Sequence, residues 1–136
     1  MIAMTTTITF TAKKKLNNPI LFTGLPGIGL VGKIAADYML KQFSAEKIAE
    51  ITSDTFPPSV HTKNAVIDLI KDELYVFEFK GRHFLFLVGP VQPSLDFRTG
   101  SAGEHYEFAT AIVEAVKALG VKELYTLAGI NIGDKR

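Results

Sequence analysis

The sequence contains no cysteine among its 136 residues. This absence excludes disulfide bonds, thiolate-ligated metal sites and a cysteine nucleophile. An excess of charge is also absent, because 15 Lys and Arg residues are balanced by 14 Asp and Glu residues, for a net charge of +1. A chain so close to neutrality has no overall field that attracts nucleic acid or an anionic membrane. We therefore expect neither as a partner.

Long apolar runs are missing as well. Nothing in the sequence approaches the ~20 consecutive apolar residues that a membrane-spanning helix needs. Residues 1–12 are rich in threonine, and apolar residues alternate with the threonines. A signal peptide instead has a charged stretch followed by a continuous apolar run. We expect a cytoplasmic protein. With 47% hydrophobic residues, the chain has enough apolar content for one core, so we expect residues 1–136 to form one α/β domain, either complete at Arg136 or truncated there.

The periodicity of the apolar residues predicts strands that alternate with two helices. Helical spacing over residues 30–43 and 104–119 places apolar side chains on one stripe of each segment. Two runs rich in β-branched and aromatic residues flank Lys80-Gly81-Arg82, which predicts a hairpin. The other predicted strands are residues 7–11, 20–23, 45–53 and 121–127.

This order of elements predicts a three-layer α/β/α fold. Strands followed by helices favour parallel pairing with right-handed crossovers, and the hairpin adds an antiparallel part. The sheet is therefore expected to be mixed and mostly parallel. Two helices are few for such a sheet, so we expect its last strand to be covered either by further residues of the domain or by another subunit.

The segment GLPGIGLVGK, residues 24–33, matches two nucleotide-binding patterns at once. Gly27, Gly29 and Gly32 match the G-x-G-x-x-G of dinucleotide folds, and Gly27, Gly32 and Lys33 match the first seven positions of a P-loop. A glycine-rich turn between a strand and a helix presents backbone N–H groups, and the helix dipole favours an anion there. The candidate anion- or nucleotide-binding residues are therefore Gly27, Gly29, Gly32 and Lys33.

The neighbouring residues leave two interpretations of this segment open. Asp54 lies 22 residues beyond Gly32, where a dinucleotide fold places its ribose-binding acid. Two residues argue against a nucleotide site. Ile34 cannot ligate magnesium, although it occupies the position where a P-loop has Ser or Thr for that purpose. Pro26 has no backbone N–H, so one hydrogen-bond donor to a phosphate is missing. The alternative is a turn whose small residues let the helix lie close to the sheet.

Other catalytic constellations are not indicated. The three histidines, His61, His83 and His105, are too scattered to predict a metal site. The sequence has no G-x-S-x-G motif, and Ser94 and Ser101 have no adjacent base. We expect no catalytic residue, no metal and no cofactor.

Loop residues supply a second group of candidates. Phe56-Pro57-Pro58 follows a predicted strand, and residues 89–103 form a long loop that contains Gln92 and Phe97. Exposed aromatic side chains anchor protein interfaces, so these residues are candidates for partner binding. The alternative for both phenylalanines is that they fill the core.

Four motifs, in this order along the chain, resemble the proteasome assembly chaperone 2 family. They are Gly-x-Pro-Gly-x-Gly-x-Val-Gly at 24–32, Phe-Pro-Pro at 56–58, Gly-x-x-Gln-Pro at 89–93, and a late strand that ends in glycine at 124–129. The resemblance implies an α/β/α fold akin to nucleoside phosphorylases without their catalytic residues. It also implies homo-oligomers and a non-enzymatic role, which is to hold proteasome α subunits during ring assembly.

The sequence departs from that family in three ways. Family members are usually longer, so the chain looks like an N-terminal part. Its end, Asp134-Lys135-Arg136, lacks the hydrophobic-Tyr-any tail with which some assembly chaperones dock, and Pro90 stands where many relatives have an acidic residue. We predict a non-enzymatic, self-associating chaperone of proteasome assembly. The alternatives are a nucleotide- or phosphate-binding enzyme, with the ATP-grasp-like label that some relatives carry, and a purely structural fragment.

Overall fold

In the computed structural model, two helices pack against a six-stranded sheet. The structure describes residues 6–54, 56, 60–63, 66–91 and 103–133. The elements in chain order are β1 (Thr6–Phe10), β2 (Ile20–Gly24), a 3₁₀ turn (Ile28–Leu30), α1 (Val31–Gln42), β3 (Glu46–Ser53), β4 (Val60–Lys63), β5 (Val66–Leu69), β6 (Asp72–Phe79), β7 (Arg82–Val88), α2 (Gly103–Ala118) and β8 (Glu123–Thr126). Strands β4 and β5 form a separate antiparallel pair, which the sequence pattern did not predict.

The order of strands in the main sheet is β1-β3-β6-β7-β2-β8. Strand β2 is parallel to both of its neighbours, β7 and β8. The pairs β1–β3, β3–β6 and β6–β7 are antiparallel. The prediction of a mixed sheet is confirmed, but the prediction that it is mostly parallel is wrong. The reason is that β3 lies beyond the β6–β7 hairpin instead of beside β2, so it pairs with two strands that run in the opposite direction.

Local sequence signals account for the element boundaries. Both predicted helices are observed, and each begins and ends within one residue of its predicted limits. Helix α2 is followed by Gly120, whose φ of 89° is left-handed and suits glycine. The β6–β7 turn has left-handed φ at Lys80 (51°) and Gly81 (77°). Two such residues define the type I′ turn that matches the twist of a hairpin.

Apolar clusters on the two faces of the sheet confirm the three-layer architecture. On one face, the strand residues Leu21, Leu85 and Leu87 share a cluster with Phe108 and Ile112 of α2. On the other face, a second cluster joins α1 to the sheet through Ala36, Phe77, Phe86 and Val88. Each strand of the sheet centre therefore has one face toward each helix. Neither helix in the described part of the chain has the length and apolarity to cross a membrane.

Candidate functional site

Three parallel strands end at the same edge of the sheet. Strand β2 ends at Gly24, β7 at Val88 and β8 at Thr126. The glycine-rich turn, the segment that begins at Gly89 and the residues after β8 all leave from these ends. The fold thus gathers three of the four sequence motifs at the edge where α/β proteins place their binding sites.

Two glycines of the turn are required by packing. A Cβ atom on Gly32 would lie 1.9 Å from the carbonyl oxygen of Leu127, and one on Gly24 would lie 2.4 Å from Cβ of Ala36. Both distances are far below van der Waals contact, so only glycine allows the end of β2, the first turn of α1 and the end of β8 to meet. For Gly24 and Gly32, the packing interpretation accounts for the residue type.

The remaining candidates of the turn have no such contact. Gly27 is extended, with φ −163°, and a Cβ atom there would meet open space. Gly29 (φ 67°) and Leu30 (φ 54°) are both left-handed. The Nζ atom of Lys33 lies 2.7 Å from Oδ2 of Asp37, one helical turn away. Its charge is therefore already paired, and an anion site at these residues stays a prediction.

The position of Asp54 weakens the dinucleotide interpretation. This residue is exposed and follows β3, and two strands, β6 and β7, lie between β3 and β2. At ~4.8 Å per strand spacing, Asp54 is roughly 14 Å from the turn across the sheet. In a dinucleotide fold the ribose-binding acid follows the strand beside the glycine-rich turn. The position of Asp54 therefore does not support the dinucleotide interpretation.

A cavity of about 480 Å³ lies at this edge, between α2 and the ends of β2 and β8. Its size falls in the range of small-molecule pockets, ~300–1,000 Å³. Its apolar lining includes Leu25, Leu87, Phe108, Ile112, Leu124 and Leu127. His105 also lines it, and the His105 Nε2 atom is buried without a hydrogen-bond partner among the described residues. The sequence does carry a signal for this position, because His105 lies three residues before Phe108 and therefore on the same, inner face of α2.

A buried acid lies under the segment that follows β7. Asp72 is fully buried, and its Oδ1 would lie 1.9 Å from a Cβ atom on Gly89. Burial raises the pKa of Asp72 to about 8; the Val91 amide opposes this rise and the charge of Glu73 adds to it. The Val91 amide is near, but neither carboxylate oxygen has a well-aligned hydrogen bond within the described structure. The hairpin register about Lys80 and Gly81 could have predicted the Asp72–Gly89 contact.

A carboxylate at the same edge ties β1 to α2. Glu107 accepts hydrogen bonds from the Thr6 backbone N–H (3.0 Å) and from the Thr6 hydroxyl (2.5 Å). The Thr6 hydroxyl also lies 3.1 Å from Oγ of Ser53. Sequence reasoning missed this contact, because it joins residues 101 positions apart.

The partner-binding candidates fall into two groups. Phe56 is buried, and its ring centroid lies 5.7 Å from that of Phe108. Phe56 therefore fills the core, which was the alternative to partner binding. Pro57, Pro58, Gln92 and Phe97 lie outside the described residues. Among the residues that are described, no three His, Asp or Glu side chains are grouped closely enough to hold a metal ion.

Comparison with known proteins assigns the family. The model of the PAC2 family matches residues 21–136. The chain belongs to the PAC2 family. This confirms the resemblance to the proteasome assembly chaperone 2 family that four motifs of the sequence indicated.

Solved structures of PAC2 relatives share the fold. PbaB of Pyrococcus furiosus, an archaeal proteasome activator, is 30% identical and superimposes with a TM-score of 0.86 over 98% of this chain. PbaA of the same organism, an archaeal homolog of proteasome-assembly chaperone, is 21% identical with a TM-score of 0.64 over 97% of this chain, which supports the fold alone.

The PAC2 relatives are longer than this chain. An uncharacterized protein of Methanocaldococcus jannaschii is 32% identical over 119 residues, which is 87% of this chain and 43% of that protein. The match covers 55% of PbaB and 49% of PbaA. The chain thus spans about half the length of these relatives.

Proposed function

We propose that this PAC2-family chain is a non-enzymatic protein-binding module that self-associates and holds proteasome α subunits during assembly. The observation that carries the proposal is the similarity to PbaB, a proteasome activator, which extends over 98% of the chain at 30% identity. Such a role places the protein in the cytoplasm, together with its partner.

The exposed side of α2 is the surface that we propose for the α subunit. Tyr106 is 75% exposed and Val113 is 42% exposed, and the exposed residues Ala109 and Thr110 lie between them in sequence. Val113 also lines the 480 Å³ cavity, so the surface continues into an apolar recess. Exposed aromatic residues beside apolar recesses are typical interface anchors. This surface, defined by Tyr106, Ala109, Thr110 and Val113, replaces Phe56, which is buried, as the proposed contact.

Retention of variants on immobilised proteasome α subunits tests this surface. Immobilised proteasome α subunits should retain the wild-type chain, and Tyr106→Ala or Val113→Lys should weaken retention about tenfold or more. Phe10→Lys is the matched control, because Phe10 is 44% exposed but lies on β1, away from α2's outer side. Equal retention of all four proteins would exclude this surface, and no retention of the wild-type chain would refute the proposal.

One observation favours a second candidate, a protein that binds nucleotide or phosphate at the glycine-rich turn. In the described structure, α1 begins after two left-handed residues, with neither a capping side chain nor an acid in its first turn. Backbone N–H groups in that setting suit an anion. Calorimetric titration with ATP, ADP, NAD and phosphate, with and without magnesium, decides this point. Micromolar binding that Lys33→Ala abolishes without unfolding the chain would favour the second candidate.

A further inference from the structure

A buried acid without a partner lies at the edge where β2, β7 and β8 end. Asp72 is the first residue of β6 and is fully buried. It lies on the same face of β6 as Leu74 and Val76, which belong to the apolar cluster that α2 covers. Neither of its carboxylate oxygens has a well-aligned hydrogen bond among the described residues. Buried polar groups almost always have such a bond, so the position of Asp72 requires a physical reason.

The segment that follows β7 lies directly against this carboxyl group. Glu73 pairs with Val88 in the hairpin, so Asp72 and Gly89 meet just beyond the last pair. A Cβ atom on Gly89 would lie 1.9 Å from Oδ1 of Asp72 and 2.6 Å from its Cγ. Only glycine therefore lets the chain pass so closely over the acid.

Few contacts hold residues 89–91 in this place. Val91 packs into the cluster under α2, and its amide is the backbone group that acts on Asp72. Pro90 is exposed and has no N–H, and none of the three residues is charged. Within the described structure, no backbone–backbone hydrogen bond joins residues 89–91 to the rest of the chain. The segment can therefore move without breaking the hydrogen bonds of the sheet.

The charges on the neighbouring strands do not neutralise Asp72. Burial raises the pKa of Asp72, and the charge of the adjacent Glu73 on β6 adds to that rise. Lys71 precedes Asp72, but its Nζ atom lies 3.1 Å from Oε1 of Glu50 on β3. The β3 residue opposite Asp72 is the apolar Ile51. No cation of the described part of the chain lowers the pKa of Asp72.

The ionisable side chains of α2 whose positions are described have other surroundings. Glu107 accepts hydrogen bonds from β1, and His105 lines the cavity beside β2 and β8. Glu114 and Lys117 are on the exposed outer side of the helix. An ionised Asp72 would therefore be shielded from solvent without a counter-ion, which is strongly unfavourable.

We propose that Asp72 is a proton-controlled latch for residues 89–91. As a neutral acid it stays buried, and the segment lies closed against the sheet. When Asp72 passes its proton to solvent, the segment moves away and the carboxylate reaches water. The segment is the route to solvent because β3 and β7 flank Asp72 within the sheet and α2 covers the cluster beneath it. The inference does not rest on the proposed function, and it gives the glycine of the Gly-x-x-Gln-Pro motif a physical role.

The direction of the pH dependence follows from two pKa values. The pKa of Asp72 is about 8 in the closed form, and the ordinary value for such a group is 3.8. Between these pH values the closed form binds more protons than the open form, so the opening constant should rise about tenfold per pH unit. Above about pH 8 both forms are ionised, and the rise should stop. Low pH therefore keeps the latch closed.

Native-state hydrogen exchange at the Val91 amide tests the latch. The protection factor corrects for the intrinsic rate of exchange and is the inverse of the opening constant. In the wild-type chain it should fall about tenfold per unit between about pH 5 and about pH 8. In Asp72→Asn, whose side chain has the same shape and does not ionise, it should be independent of pH. Asp54→Asn is the matched control, because Asp54 is an exposed acid, and it should keep the wild-type dependence.

Low concentrations of urea distinguish the latch from unfolding of the whole chain. A local opening exposes little surface, so urea should leave the protection factor of Val91 unchanged while it lowers that of Leu85 in the sheet centre. Protection at Val91 that is independent of pH in the wild-type chain would overturn the inference. Protection at Val91 that falls with urea as steeply as at Leu85 would overturn it as well, because the opening would then be global. These two results come from the wild-type chain, so they decide the question even if Asp72→Asn does not fold.

Discussion

Replacing Gly32 by alanine gives a quantitative test of the glycine-rich turn. The new Cβ atom would lie 1.9 Å from the Leu127 carbonyl oxygen and 2.8 Å from its carbonyl carbon. These are backbone atoms, so relief requires α1 and the end of β8 to move apart. Overpacking of this kind costs about 1–3 kcal/mol, and loss of the Leu127–Thr23 hydrogen bond costs about 1 kcal/mol more. Alanine regains about 1 kcal/mol of helix propensity, so the net loss in unfolding free energy is about 1–3 kcal/mol.

Urea denaturation of Gly32→Ala and Gly27→Ala measures this difference directly. Gly27 serves as the control because it belongs to the same motif, is extended and faces open space. Its replacement should change the unfolding free energy by no more than about 0.5 kcal/mol. An unchanged or increased stability of Gly32→Ala would refute the packing argument. Equal losses for both variants would refute it as well, since only Gly32 is close to Leu127.

Three further predictions concern contacts away from the turn. The pKa of Asp72 is raised from 3.8 to about 8, so between these pH values Asp72 binds more protons in the folded state than in the unfolded state. The unfolding free energy of the wild-type chain should therefore fall as pH rises from about 4 to about 8. Thermal melts at several pH values should show a smaller change in melting temperature over this range for Asp72→Asn than for the wild-type chain. Glu107→Ala should lower the unfolding free energy by about 1–3 kcal/mol in urea titrations, because it removes both carboxylate oxygens that accept hydrogen bonds from Thr6. Amide hydrogen exchange in β1 should become faster in the same variant. Gly81→Ala should cost about 1–2 kcal/mol, because Gly81 has φ of 77°; an unchanged melting temperature would contradict this.

Local signals in the sequence predicted most of the elements. The helical stripes located α1 and α2, and the Lys80–Gly81 turn located the hairpin. The order of strands in the sheet was not predictable in the same way, because the sequence of β3 contains no local signal that determines its neighbouring strands. The α1 crossover carries β3 past the hairpin, and this long-range choice made the sheet predominantly antiparallel in its pairings.

The candidate site was predicted in part, for the same reason. The glycine-rich turn is a contiguous motif, so its place at the carboxyl end of β2 followed from the strand–helix pattern. Its packing role depends on Leu127, which is distant in sequence and adjacent only in the fold. Asp72 and Glu107 likewise acquire their environments from Gly89 and Thr6. Only the Asp72 contact had a sequence signal, which was the hairpin register.

The central claim is that the chain binds proteasome α subunits, and sedimentation velocity of the labelled chain tests it most directly. Mixing the labelled chain with isolated α subunits should produce a faster-sedimenting boundary that contains the label, at micromolar concentrations. The boundary should persist without nucleotide, because the proposed contact is between protein surfaces. An unchanged sedimentation of the labelled chain with up to ~100 μM α subunits, which corresponds to less than about 5.5 kcal/mol of binding free energy, would contradict the account.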